Sequence, residues 1–268
     1  MKFKKSVLVT GSKGYVGKET VSKLKKEYNI ISVDIKDNQD CKNFKDLKKQ
    51  IIKANYVIHL SAHKNIKESI NNPIKYYYNN ILSTLNIVIL CKMYKKPLVF
   101  SSSASVYCKN NPYAKSKNVE EILIKFILKK YVILRYFNIG GATENTNDQG
   151  SGNLFSIINN NTKINIWNKG STRDYIHISD VANANLLSIK YLEENNKPLI
   201  TDIFTGKKTS VNEILNLYME HNINFDIDYY NLKDSEITPK NDNRNILGWE
   251  PKYSLKDIVE SELQHICN

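Results

Sequence analysis

The sequence predicts an α/β protein with a doubly wound parallel sheet and a smaller C-terminal α/β unit. Three observations predict it. Through the first half, short apolar runs alternate with amphipathic stretches, as in "KSVLVT", "NIISVD", "NYVIHLSA", "PLVFSS" and "YVILRYFN". Runs that are apolar throughout belong to strands buried on both faces, the setting of a parallel sheet covered by helices on each side. The first run passes straight into "GSKGYVG", three glycines spaced three apart, where a buried strand must turn at once into a helix. Beyond Gly140 the rhythm loosens into the polar stretch "GGATENTNDQGSGN", and shorter elements follow.

In chain order, helices are expected from about Tyr15 to Glu27, through "KDLKKQIIK", from about Pro73 to Tyr94 and from about Tyr113 to Lys130. The tyrosine run 76–78 reads as helix packing. After the polar stretch come "NLFSIINN", "KINIW", "SDVANANLLSIKYLEE", "LITDIFTG" and a last helix near Ser254 to His265. These divide the chain into a dinucleotide-binding unit, 1–140, and a mainly substrate-binding unit, 141–268, with a strand near 200–204 returning to the first sheet.

The glycines suit a phosphate-binding turn. Gly11 makes the turn, Gly14 lets backbone approach a ligand, and Gly17 lets the helix pack on the sheet with its N-terminus toward a phosphate. Tyr15 and Val16 lie in the same turn. The spacing is G-x-x-G-x-x-G rather than G-x-G-x-x-G, so other segments must support the reading. Asp34 supplies one, because it ends the second strand about 20 residues on, where a carboxylate accepts hydrogen bonds from an adenosine ribose. Its charge would repel a 2′-phosphate and no arginine lies nearby, which selects NAD over NADP. The plainer alternative is that Asp34 caps a strand end.

Composition excludes other classes. Of 39 basic residues in 268, only Arg135, Arg173 and Arg244 are arginine, and the lysines behind the net charge of +12 are spread over the chain. Scattered lysines argue for solvated helix faces and against nucleic acid, whose phosphates favour arginine forks. No apolar run approaches the roughly 20 residues that cross a bilayer, and "SVLVTG" reads as a strand and not a signal peptide. Cys41, Cys91, Cys108 and Cys267 are scattered, which suits a reducing compartment, and a cytoplasmic protein is expected. His59 and His63 stand four apart on a strand and the loop after it, so no metal site is expected.

"PYAKSK" places Tyr113 and Lys117 four apart on one face at the start of a helix. A phenol is a poor base near neutral pH, but an ammonium group and a cationic nicotinamide beside it lower its pKa. The same spacing recurs at Tyr229 and Lys233; the first pair stands apart because the strand before it ends in Ser101, Ser102 and Ser103. Ligands of open parallel sheets bind beyond the carboxyl ends of strands. A serine there can share a hydrogen bond with the oxygen that the tyrosine protonates or deprotonates.

Eight blocks in order, "TGSKGYVG", "VIHLSAHKNIKES", "YYNNILSTL", "FSSSASVY", "YAKSK", "LRYFNIGGA", "STRDYIHISDVANA" and "LGWEPKYSL", carry a resemblance to a family. Over nearly its full length the chain resembles the extended short-chain dehydrogenases/reductases, the NAD-dependent epimerase/dehydratase family, and within it the UDP-glucose/UDP-galactose 4-epimerase branch. The resemblance implies a Rossmann fold with Ser103, Tyr113 and Lys117 as catalytic residues. It places Leu60, Ser61, Ala62, Lys64 and Asn80 along the cofactor, Asp40 and Cys41 near the adenine and Phe137 near the nicotinamide. Asn138 and Arg173 would hold the sugar-nucleotide diphosphate, and Asn153 and Trp167 would line the nucleotide pocket. Lys233 and Glu236 stand where the family carries a further phosphate contact, and a homodimer formed through the two long helices is implied.

Members of this family differ in what accompanies the Ser-Tyr-Lys set. A 4,6-dehydratase carries an acid pair directly after the catalytic hydroxyl, where this chain has Ala104 and Ser105; a C3/C5 epimerase carries a Cys or His pair, and Cys108 falls five residues late. The expected activity is C4 epimerisation of a UDP-hexose or its N-acetyl form with retained NAD. The same triad would serve an NAD-dependent 4-ketose reductase or C4 dehydrogenase, and a non-catalytic NAD-binding protein stays open. Only nine residues, 104–112, separate Ser103 from Tyr113, a link shorter than in the epimerases and one that bears on which sugar fits.

Overall fold

Strand-forming and helix-forming segments alternate through residues 6–136 of the computed structural model, which describes residues 4–145, 153–166, 170–230 and 237–266. The order is β1 (Ser6–Thr10), α1 (Tyr15–Leu24), β2 (Asn29–Val33), α2 (Phe44–Lys53), β3 (Tyr56–His59), α3 (Ile66–Asn71), α4 (Pro73–Tyr76), α5 (Leu82–Met93), β4 (Leu98–Ser103), α6 (Pro112–Ile127) and β5 (Tyr131–Tyr136). There follow β6 (Asn138–Gly140), α7 (Leu154–Asn160), β7 (Lys163–Ile166), β8 (Thr172–Arg173), β9 (Tyr175–His177) and α8 (Ile178–Glu194). The last elements are β10 (Leu199–Ile203), β11 (Thr209–Ser210), α9 (Val211–Met219), β12 (Asp226–Tyr229), α10 (Arg244–Leu247) and α11 (Leu255–Ile266).

Six parallel strands form one sheet in the order β10-β5-β4-β3-β1-β2. Successive side chains of a strand point to opposite faces, and both faces are apolar. Val7 and Val9 join Val99, Val132 and Leu134 in the core beneath α1 and α8, while Leu8 joins Val57, Phe100 and Ile133 in the core beneath α2, α5 and α6. A third cluster, built from Phe155, Ile158, Ile164, Tyr175, Ile214, Tyr218, Ile258 and Val259, lies among α7, β7, β9, α9 and α11. Three two-stranded pairs, β6-β9, β8-β11 and β7-β12, complete that half. Among the described residues no helix is long and apolar enough to cross a membrane.

The helix expected from Pro73 to Tyr94 is interrupted. Between α4 and α5 the backbone opens into a π turn, Tyr77–Ile81, and this wider turn carries the buried Asn80. Such turns often mark functional sites. Tyr76 at its start is fully buried and donates to Glu68 at 3.0 Å, whereas Tyr78 is exposed.

Buried polar links tie the two halves together. Arg135 on β5, an arginine with a structural role, forks onto Glu121 of α6 (Nε to Oε1 2.8 Å, Nη2 to Oε2 2.6 Å) and donates to the Tyr107 hydroxyl at 2.8 Å. That hydroxyl lies 2.7 and 2.8 Å from the two carboxylate oxygens of the fully buried Asp202 on β10. Asp202 also accepts from the Lys240 and Asn241 amides at 2.7 and 3.0 Å, holding the segment before α10 on the sheet. On the other side Asp180 of α8 accepts from the Lys252 and Tyr253 amides, and the Trp249 indole donates to the Asp180 carbonyl at 2.9 Å. Two blocks separated by some 70 residues therefore meet in space.

Burial disfavours the Glu121 carboxylate, but the Arg135 fork and the Ser102 hydroxyl outweigh it and hold its pKa below the ordinary value. A carboxyl lowered on folding stabilises the protein fully above its unfolded value of about 4.3, and that contribution is lost as pH falls through the lower folded value. Glu121→Gln removes the nearer counter-charge of Arg135, leaving Asp202 at 4.0 Å, and should cost about 3 kcal/mol near pH 7 in urea denaturation. The loss relative to the parent should shrink on acidification below that range.

Candidate active site

Strand register brings the sequence-predicted residues to one edge. Thr10 pairs with Val33 and with His59, and His59 pairs with Phe100, so Gly11, Asp34 and Leu60 leave the sheet at its carboxyl end, where Ser101 to Ser103 finish β4. Gly11 has φ +65°, and a Cβ there would stand 2.8 Å from the Ser61 backbone; a Cβ on Gly17 would stand 1.9 Å from the Gly11 carbonyl oxygen. Side chains at these two positions would close the turn. The Gly14 amide donates to the Gly11 carbonyl at 3.0 Å, and α1 begins at Tyr15 with its N-terminus at this edge.

Asp34 is buried and does what its plainer reading says: its two oxygens accept from the Lys13 and Lys36 amides at 2.8 and 2.9 Å. A carboxylate has about four lone-pair positions, so two remain for ribose hydroxyls. The Ser12 hydroxyl and the Gln39 side-chain carbonyl oxygen are buried without a partner among the described residues. One lies in the glycine turn and the other in the loop after β2, where a dinucleotide's phosphates and adenosine would pass, so the residues present fit such a group.

The neighbouring residues hold this edge together. Asp40 caps its own loop by accepting from the Lys42 amide at 2.8 Å, and the Cys41 thiol sits 3.4 Å from the Ser61 hydroxyl. Burial pushes that thiol up to about 11, so it stays protonated at neutral pH. Asn80 accepts from the His63 amide at 2.8 Å and donates to the His63 carbonyl and the Ser116 hydroxyl, fixing the loop that carries Leu60, Ser61, the exposed Ala62 and Lys64. The Lys64 ammonium stands 5.6 Å from the centre of the Tyr15 ring, and the Tyr15 hydroxyl donates to the Gly141 carbonyl. Val16 packs against the core, and the Phe137 ring is buried there against Phe204.

Ser103, Tyr113 and Lys117 come together where β4 ends and α6 starts. The link between them is a tight 3-10 turn, Ala104–Tyr107, followed by Asn111, which caps α6 by accepting from the Ala114 amide at 2.8 Å. Burial raises the Tyr113 phenol up to about 12, a hydrogen bond with the Ser103 side chain works against that rise, and the Glu120 charge adds to it. Lys117, 2% exposed, donates to the Ser101 carbonyl at 3.0 Å and lies over the Phe100 ring, 4.5 Å from its centre. Its third neighbour is Glu120, 3.3 Å away.

After β5, Asn138 on β6 donates to the Asp174 carbonyl at 3.1 Å, and Asp174 follows Arg173 of β8. Arg173 donates to the Ser171 hydroxyl and the Thr172 carbonyl, both at 2.8 Å. The Asn153 side chain caps α7 and donates to the Ile139 carbonyl at 3.0 Å, so its amide fixes the start of that helix. Trp167, Lys233 and Glu236 lie outside the described residues. Sequence reasoning passed over Tyr107, Glu120, Glu121 and Asp202. The signal for the glutamates was their place three and four residues beyond Lys117, on the helical face of Tyr113.

Residues 7–203 match the NAD dependent epimerase/dehydratase family. The putative UDP-glucose 4-epimerase of Methanocaldococcus jannaschii is 30% identical, with 98% of this chain and 98% of the relative covered. The UDP-glucose 4-epimerase of Halalkalibacterium halodurans is 29% identical over 95% of this chain and 93% of its own. The crystal structure of UDP-glucose-4-epimerase from Stenotrophomonas maltophila, with bound NAD and formylated UDP-arabinopyranose, superposes with a TM-score of 0.89 at 22% identity, covering 98% of both chains.

Asp34→Ala removes the acceptor of two backbone amides as well as the carboxylate that is expected to accept from an adenosine ribose. NAD affinity should fall by about tenfold, ~1.4 kcal/mol, in calorimetry, and the preference for NAD over NADP should narrow.

Proposed function

The chain belongs to the NAD dependent epimerase/dehydratase family, and from that premise we propose that it interconverts the C4 epimers of a UDP-hexose. The observation that carries this reading is the grouping of Ser103, Tyr113 and Lys117 at one sheet edge with Ala104 and Ser105, neither of them an acid or base, directly after the serine. NAD, when bound, would supply the hydride acceptor and donor for the sugar carbon. The chain's own residues do the rest.

In this reading Ser103 holds the C4 oxygen and Tyr113 takes its proton as hydride leaves C4, giving a 4-keto sugar. The ketone then turns over in the site, and Tyr113 gives the proton back as hydride returns to the other face of C4. Atoms and charge balance over the cycle, so no added cofactor is consumed. Burial keeps the phenol protonated near neutral pH, so positive charge beside the ring is required to make it a base. Lys117 is the cation that the chain supplies.

In this reading Arg173 on β8 and Asn138 on β6 hold the diphosphate. In a sequence with three arginines, a planar two-pronged donor at this position suits a diphosphate. The short link 104–112 leaves the sugar side open, and N-acetyl groups at C2 should be accepted.

Two outcomes test the reading. Mixing the protein with UDP-glucose, UDP-galactose or their N-acetyl forms, without free cofactor, should give C4 isomers at equilibrium by NMR, and Tyr113→Phe should bind NAD while turnover falls by about two orders of magnitude or more. Stoichiometric NADH with a stable keto product would instead mean a dehydrogenase, and no change with any sugar a binding protein. Arg173→Lys, which replaces a fork with a point charge, should weaken UDP-sugar binding by about tenfold in calorimetry with NAD affinity unchanged.

A further inference from the structure

We propose that Glu120 is the counter-charge of Lys117, a buried positioning residue that fixes the ammonium and sets how much of its positive field reaches the Tyr113 phenol. The inference rests on Tyr113 being the proton-transfer residue of the proposed function. Glu120 is 0% exposed, one turn along α6 from Lys117. Its Oε2 receives the Lys117 ammonium at 3.3 Å and the Thr84 hydroxyl at 2.8 Å, while its Oε1 has no hydrogen-bond partner among the described residues.

The surrounding hydrogen bonds run toward Glu120. Thr84 sits 2.9 Å from His59 Nε2, and His59 Nδ1 is 2.7 Å from the Thr10 hydroxyl, which already accepts from the Leu60 and Ser61 amides at 3.2 and 3.3 Å. With its hydroxyl accepting from those amides, Thr10 gives its own proton to Nδ1. The neutral ring then carries its proton on Nε2 and donates to Thr84, and Thr84 donates to Glu120. Burial, helped by the Lys117 charge, holds His59 down at about 3, in keeping with a neutral ring. Every link from the glycine turn to α6 therefore ends on an accepting oxygen of Glu120. Burial raises the Glu120 carboxyl, the more so because Oε1 has no donor among the described residues, while the Lys117 charge and the Thr84 hydroxyl favour the carboxylate at Oε2.

The groups facing this pair come from each packed element. From β3 there is neutral His59, from α5 Thr84, from the π turn the Asn80 amide through Ser116, and from β4 the Phe100 ring and the Ser101 carbonyl. On α6 itself are Lys117 and Tyr113, while Glu121 turns away to Arg135 and Lys125. Tyr76, donating to Glu68, is the next titratable group toward α4. Burial penalises an ammonium, and the Ser101 carbonyl, the Phe100 face and the Glu120 carboxylate together offset that cost. Glu120 holds the Lys117 ammonium in place and, by the same contact, cancels part of its field at the phenol.

The test is Glu120→Gln in the NAD-loaded protein, which keeps an acceptor for Lys117 and Thr84 but removes the charge. Lys117 retains the Ser101 carbonyl and the Phe100 face, so its uncompensated charge should move the acid limb of the kcat profile to lower pH by about one pH unit. KM for the sugar should stay unchanged. Tyrosinate absorbance, read as the difference between each protein and its Tyr113→Phe version, should move the same way without reference to turnover. Thr84→Val, which removes the donor that favours the carboxylate, should shift both midpoints in the same direction by less and serves if the glutamine variant does not fold. Midpoints that stay in place or rise, with only the melting temperature lowered, would overturn the proposal. Unaltered turnover in Tyr113→Phe would instead overturn the reading of the site on which it rests.

Discussion

Because β1 pairs in parallel with both β2 and β3, Thr10 stands level with Val33 on one side and His59 on the other, and the loops that follow must leave the sheet at one edge. The glycine turn, Asp34, the Leu60 loop and the serines of β4 are brought together by this register rather than by contacts among themselves. Side chains alternate with a period of two, so a slip of one residue in any strand would send its inward set outward. With Val7 and Val9 in one core and Leu8 in the other, a slip would exchange which side chains fill each core and so upset its packing rather than its polarity.

Helix α6 carries two buried ion pairs of different character. Arg135 and Glu121 form a two-pronged pair with a further link through Tyr107 to Asp202, and every member is engaged. Lys117 and Glu120 are held by a single contact, with one carboxylate oxygen unsatisfied. Desolvation penalises both pairs, and complete hydrogen bonding is what offsets it. The first pair is therefore built to join sheet, helix and substrate side, whereas the second is poised to respond to charge placed beside it.

Long elements were legible because periodicity is local: the strands of the first sheet and α1, α2, α6 and α8 appear close to where their apolar patterns place them. The π turn at Tyr77–Ile81 was not, since one extra residue in a helical turn leaves the apolar spacing almost unchanged. The pairs β8-β11 and β6-β9 span two and three residues and exist only through partners distant in sequence. At the site, Asp34, Ser103, Tyr113 and Lys117 could be picked out by spacing from a glycine turn or a strand end. What could not be read was that Asp34 also builds its own turn, or that Lys117 comes with a carboxylate, because both depend on three-dimensional neighbours. Arg135 was legible as an exception in a lysine-rich chain, its partners Glu121 and Tyr107 only in the fold.

β10 completes the first sheet beside β5, yet it follows β5 by more than 60 residues, after α7, β7, β8, β9 and α8 have been made. During synthesis β5 must therefore wait as an unpaired edge while the intervening chain emerges from the ribosome. Its inward residues Val132 and Leu134 and its apolar neighbour Ile133 are the kind of surface that captures other strands. Pairing across such a separation also raises contact order, which slows folding. A chain stopped near residue 140 would display a bare sheet edge, and the later half delivers the strand that covers it.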